Sequence, residues 1–143
     1  MQLFRSVLFG LAVMATTGCH SDRLPTYPVS GTIQYADGKP VTFGYVEFYC
    51  QTHDITARGP IAEDGSFQLS TFRPNDGAVA GHHEVIVTQV LMPQPVVEPG
   101  ATAARQHQHD RHLPQRYASF ATSDLRCEVT KGDNACELVV AIE

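Results

Sequence analysis

The chain is short of positive charge. It carries 10 Lys and Arg against 15 Asp and Glu, for a formal net charge of −5 over 143 residues. No run of basic residues is dense enough to meet a phosphate backbone, so no nucleic-acid partner is expected. Catalytic signatures are missing as well. There is no G-x-S-x-G, no glycine loop that would cradle a phosphate and no dinucleotide fingerprint. "HHEVI" opens like the zinc-protease motif H-E-x-x-H, but Val87 stands where the second histidine belongs, and the motif needs a helix. No C-x-x-C suggests redox catalysis. The three Asp-Gly pairs lack the alternating acidic spacing of a calcium loop and read as turns. Beyond the first residues, no apolar run reaches the roughly 20 residues of a membrane-spanning helix. These absences predict a protein that is not an enzyme, with no catalytic residues and no cofactor.

What is present begins with the address. Arg5 is followed by an apolar stretch from Val7 to Ala15 and by small residues to Gly18. That layout predicts a signal peptide over residues 1–18. "TTGC" resembles the bacterial lipobox, with Thr16 where that motif prefers Leu. The resemblance implies lipidation of Cys19 as the new N-terminus. Two or more acyl chains, at about 0.8 kcal/mol per buried CH₂, hold a protein on a membrane durably. Residues 19–26 are then a tether and 27–143 a single domain. The expected location is the cell envelope, on the outer membrane or periplasmic face, with the membrane as a partner through the lipid. By the same resemblance, His20 rather than Asp after the cysteine does not mark inner-membrane retention.

The rest of the chain reads as strands and turns. "VSGTIQY" puts Val29, Gly31, Ile33 and Tyr35 on one face before the Asp37-Gly38 turn. In "YVEFYC", Val46, Phe48 and Cys50 oppose Tyr45, Glu47 and Tyr49. "SFQLSTF" alternates after Asp64-Gly65. "HHEVIVTQ" follows Asp76-Gly77, with His83, Val85, Val87 and Gln89 on one face and both faces partly apolar, as in a central strand. No apolar stripe at helical spacing appears. About seven short strands broken by Gly, Pro and Asp turns predict an all-β sandwich or small barrel. Residues 92–117, with several prolines and many polar side chains, read as a long surface loop with one short helical turn near Ala101–Gln108.

Three cysteines follow Cys19: Cys50, Cys127 and Cys136. In an exported chain this suggests one disulfide and one leftover thiol. If "LRCEVTKGDNACELVV" is a hairpin tipped by Lys131-Gly132, Cys127 faces Cys136 as a non-hydrogen-bonded pair. Their Cα atoms then approach to about 4.5 Å, within disulfide reach. A turn built on Gly132-Asp133-Asn134 slips that register and leaves two small buried thiols. The same hairpin places Leu125, Cys127 and Val129 on one face, with Cys136, Leu138, Val140 and Ile142 supplying the matching apolar side.

"YPVSGTIQYADGKPVTFGYVEFYC", "IAEDGSFQLST" and "DGAVAGHHEVIV" together resemble the carboxypeptidase-regulatory-like, transthyretin-like domain of small planctomycete lipoproteins. The matching positions are Val29, Gly31, Ile33, Gly38, Pro40, Val41, Val46, Phe48, Asp64, Gly65, Phe67, Gly81, Val85 and Val87. His83 stands where the family often has Tyr. "LPQRYASFATSDLRCEV" is similar to the segment that precedes the last hairpin in those lipoproteins, with Arg116 at a common Lys position. The resemblance covers residues 27–143 and implies a prealbumin-like β-sandwich of about seven strands. It implies a non-enzymatic, structural or interaction module that binds a protein or a glycan at the envelope. The purine-breakdown hydrolases of the same fold end in Tyr-Arg-Gly-Ser, which "ELVVAIE" lacks, so an envelope hydrolase is the weaker alternative.

Two residue groups remain as candidate binding sites. "HQHDRH" offers His107, His109, Asp110 and His112, which could ligate Zn²⁺, Cu²⁺ or Ni²⁺ on a rigid scaffold. In a loop the same residues read as solvated polar side chains. Tyr35, Tyr45 and Tyr49 could stack a carbohydrate, or could simply be strand formers.

Overall fold

The computed structural model describes residues 23–89 and 111–142. It holds nine strands in chain order: β1 (Thr26–Tyr27), β2 (Val29–Tyr35), β3 (Tyr45–Cys50), β4 (Ile55–Pro60), β5 (Ser66–Gln68), β6 (Ala78–Val79), β7 (Gly81–Thr88), β8 (Arg126–Val129) and β9 (Asn134–Val140). A single 3₁₀ turn spans Gln115–Ala118, and no α-helix occurs among the described residues. One sheet has the order β5-β2-β9, a second β4-β3-β7-β8, and β1 pairs with β6. The count exceeds the expected seven. Two of the nine, β1 and β6, are two-residue pairs, too short for an alternation to show.

Alternation decides which side of each strand is buried. Along β2, Val29, Ile33 and Tyr35 are buried while Ser30, Thr32 and Gln34 are exposed. Along β3, Val46, Phe48 and Cys50 are buried. His83, Val85 and Val87 of β7 and Cys136, Leu138 and Val140 of β9 complete the inside. The two larger sheets contribute to one continuous core, in which the Phe48 ring of β3 lies 5.8 Å from the Phe67 ring of β5. Each such fully buried side chain contributes about 1.5–3 kcal/mol.

The three Asp-Gly turns use their carboxylates on the backbone. Asp37 accepts from the Lys39 N–H at 3.2 Å and Asp64 from the Ser66 N–H at 2.9 Å. Asp76 accepts from three N–H groups, those of Thr71, Phe72 and Arg73, at 2.7–3.0 Å. The following Gly38, Gly65 and Gly77 all have φ near +80°, a left-handed conformation that suits glycine.

The closing hairpin is not formed. β8 pairs antiparallel with β7, whereas β9 crosses to the other sheet and runs parallel to β2, Val29 opposite Asn134 through Tyr35 opposite Val140. Asn134 fixes that crossing. Its side chain accepts from the Thr130 N–H at 2.9 Å and donates to the carbonyls of Thr130, Gly132 and Pro28 at 2.9–3.3 Å. Ile142, expected inside, lies past the end of β9 and is 45% exposed.

The end of the supposed long loop is part of the body. Tyr117 is 2% exposed, and its hydroxyl accepts from the Ala141 N–H and from Arg116 Nη2, both at 2.9 Å. Removing this buried acceptor leaves the Ala141 N–H unserved, at about 1–2 kcal/mol. Tyr117→Phe is therefore expected to shift the denaturant midpoint down by that amount with an unchanged slope in an equilibrium urea titration.

Candidate functional site

The outward side of the four-stranded sheet carries a connected set of aromatic and charged side chains, exposed at Tyr45, Arg58 and Arg126 and half-buried at Glu47, Tyr49 and Glu84. It follows from strand period and register. Burying Val46, Phe48 and Cys50 turns Tyr45, Glu47 and Tyr49 outward. The turn at Gln51–Asp54, with Asp54 at φ 52°, then sets β4 so that Arg58 lies opposite Glu47 and Thr56 opposite Tyr49. On the other flank β7 puts Thr88 beside Tyr45, Ile86 beside Glu47 and Glu84 beside Tyr49.

Arg58 organises one end. Its guanidinium lies 4.3 Å over the Tyr45 ring, and its Nε is 3.4 Å from Glu47 Oε1. The Arg58 side chain remains 52% exposed and Tyr45 is 41% exposed. Exposed cation–π and ion pairs of this kind contribute about 0.5–1 kcal/mol each, so they order the surface more than they stabilise the fold. Tyr49 organises the other end. It donates its hydroxyl to Asp54 Oδ1 at 3.0 Å, and its ring is 5.5 Å from that of Phe120. The hydrogen bond to the Asp54 carboxylate pushes the Tyr49 phenol above its ordinary range. Arg126 and Glu84 add a cross-strand pair at 3.6 Å.

Tyr35 does not belong to this face. It points inward and is 5% exposed, because it shares the alternation of Val29 and Ile33. Burial is the main cause that raises its phenol pKa. Its hydroxyl donates to the Arg111 carbonyl at 3.1 Å, at a corner where a cavity of about 490 Å³ is bounded by Tyr35, Asp37, Arg111, His112 and Ile142. There Arg111 contacts Asp37 Oδ2 at 2.6 Å and lies 5.3 Å over the Tyr35 ring. The Arg111 hydrogen bond is the first cause that holds the Asp37 carboxyl below its usual range.

His112 is the only residue of the proposed metal cluster in the described part. Its ring meets Phe43 edge-on at 6.0 Å, next to the Arg111 cation. His107, His109 and Asp110 lie outside the described residues, as does Cys19. Among the described residues no group of His, Cys, Asp and Glu is arranged to hold a metal ion, and no helix is long and apolar enough to cross a membrane. Cys50, Cys127 and Cys136 are free thiols.

Arg58, Phe120 and Arg111 were not singled out from the sequence. Arg58 was accessible to it: a hairpin turning at residues 51–54 places Arg58 across from Glu47. Phe120 and Arg111 arrive from distant segments, and no local pattern announces them. Comparison with protein-family models, curated proteins and solved structures found no match.

Proposed function

We propose that this chain is a non-enzymatic envelope lipoprotein, held to a membrane through acylated Cys19, whose prealbumin-like β-sandwich presents the outer face of the four-stranded sheet to a protein partner. One observation carries the docking part. Tyr45, Arg58 and Glu47 form a stacked and ion-paired row on hydrogen-bonded strands, in which Tyr45 and Arg58 remain open to solvent and Glu47 is partly buried beneath them. Tyr and Arg are enriched where proteins meet, because they bring large contact area and planar donors at modest ordering cost. A protein suits this row better than a glycan, since Arg58 already occupies the Tyr45 ring face on which a sugar would stack. Two packed sheets sharing one core, bounded by Asp-Gly turns, support the prealbumin-like reading.

The test is a photo-crosslinking residue at position 45 in envelope preparations, against the same residue at Gln34 on the other sheet's outer face. A discrete adduct from position 45 that disappears with Arg58→Ala is expected. The same pattern from both positions, or none from position 45, rejects the docking face. Arg58→Ala itself is expected to change stability by less than about 1 kcal/mol, because the side chain is largely exposed. The anchor is tested separately by the mass of the mature N-terminus, where an acyl increment on Cys19 is expected and an unmodified Cys19 rejects the lipid.

A further inference from the structure

The two larger sheets are joined very differently along their two long edges. On one side, β4 is tied by backbone to the chain following β5. Arg58 N–H donates to the Ser70 carbonyl and Ser70 N–H to that of Arg58, both at 2.9 Å, and Ile61 bridges Phe67. On the other side, β8 ends one sheet and β9 the other, and the described backbone hydrogen bonds include none between them. A cysteine stands on the inward side of each strand that borders that open seam. Cys127 points inward from β8, opposite His83, and packs on the core half-buried. Cys136 points inward from β9, opposite Gly31, and is 5% exposed.

We propose that Cys127 and Cys136 are a disulfide-forming site that closes this seam, a covalent bond from sheet to sheet in place of the backbone bridges found on the opposite edge. The pair arises from the crossing of β9 to the second sheet, not from the hairpin register that the spacing first suggested. The two thiols are also chemically unequal. A hydrogen bond from Cys136 lowers the Cys127 pKa, and the same contact, followed by burial, pushes Cys136 up. The more accessible sulfur is thus the better thiolate, which is the arrangement that thiol–disulfide exchange needs.

The chemistry balances with an external disulfide as oxidant. The Cys127 thiolate attacks one sulfur of that disulfide, forming a mixed disulfide and expelling one thiolate. Cys136 then loses its proton and attacks Cys127 Sγ, expelling the second. Two protein thiols become one disulfide, and the oxidant leaves as two thiols. Cys50 takes no part. It is fully buried on β3, with its sulfur against Gly81.

The sequence makes the bond easy to read. Trypsin cuts after Arg126 and after Lys131, so "CEVTK" and "GDNACELVVAIE" separate unless bridged. The full chain, equilibrated with oxidised glutathione and digested without reductant, is expected to give these two peptides as one linked species. Reduction is expected to lower the melting temperature of the wild type by roughly 5–10 °C and to leave Cys127→Ser unchanged. Under native conditions a maleimide is expected to label Cys127 at least about tenfold faster than Cys136. Recovery of both peptides unlinked after oxidation, or a linkage to Cys50, overturns the site. That readout is made on the wild type and needs no variant to fold. It is also independent of the docking face and of the lipid.

Discussion

Gly31→Ala is expected to lower the melting temperature by roughly 10 °C, a large effect for one methyl group. Gly31 sits between Phe67 of β5 and Cys136 of β9 in a strand paired on both sides. A Cβ there would overlap the Cys136 carbonyl oxygen and the Phe67 ring carbon Cζ, with Cε1 at 2.9 Å. The carbonyl is part of the ladder and can move only if the parallel pairing opens. The ring can move only by leaving its place beside Phe48. Overpacking that neither neighbour can relieve costs about 3 kcal/mol. Gly38→Ala is the control. A Cβ at Gly38 meets nothing within 4 Å, so only its φ of +83° is strained, at about 1 kcal/mol. Thermal melts followed by circular dichroism compare the two. A Gly31→Ala melt no lower than that of Gly38→Ala would contradict the β2–β9 pairing.

Asp76→Ala is expected to cost about 2–3 kcal/mol near neutral pH, since three backbone N–H groups lose a charged acceptor and water replaces it only in part. Those donors reach round the turn that carries Asn75 at φ 57° and Gly77 at φ 82°, so the variant also loosens the approach to β6. The pH dependence has a definite sign. Burial raises the Asp76 carboxyl, but the N–H groups of Thr71, Phe72 and Arg73 outweigh it and hold the folded value below the usual range. A depressed folded pKa adds stability that is complete above the unfolded value, about 3.9. That stability is lost as pH falls through the folded value. Urea titrations of wild type and Asp76→Ala are therefore expected to stay fully separated above about pH 4 and to converge as the pH falls below it. A difference that stays constant through that fall would remove the carboxylate from the account.

Much of the body was legible because strand period and turn chemistry are local. The inward sets on β2, β3 and β7 follow from two-residue alternation, and each Asp-Gly pair does sit in a turn with a positive-φ glycine. Neighbours were harder. Alternation says that Cys136, Leu138 and Val140 share a face, but not which strand they lie against. A short link through Gly132 suits a hairpin as well as a crossing. The crossing wins here, with β9 set along β2 and Asn134 tying the link to Pro28. For the candidate face, the outward placement of Tyr45 and Tyr49 was readable, while the guanidinium on Tyr45 required the β3–β4 register. The fate of Tyr117 was hidden inside a segment whose composition reads as loop.

The parallel match of β2 with β9 also orders events in time. A chain delivered from its N-terminus presents β2 among its earliest ordered residues and the neighbour on its far flank among its last. Contacts so distant along the chain form slowly, because the intervening thread must close first. Until then the three-stranded layer has only β2 and the three-residue β5, too little to stand alone. Until β9 is available the three-stranded layer therefore stays incomplete, and the inner face of the four-stranded sheet lacks much of its cover.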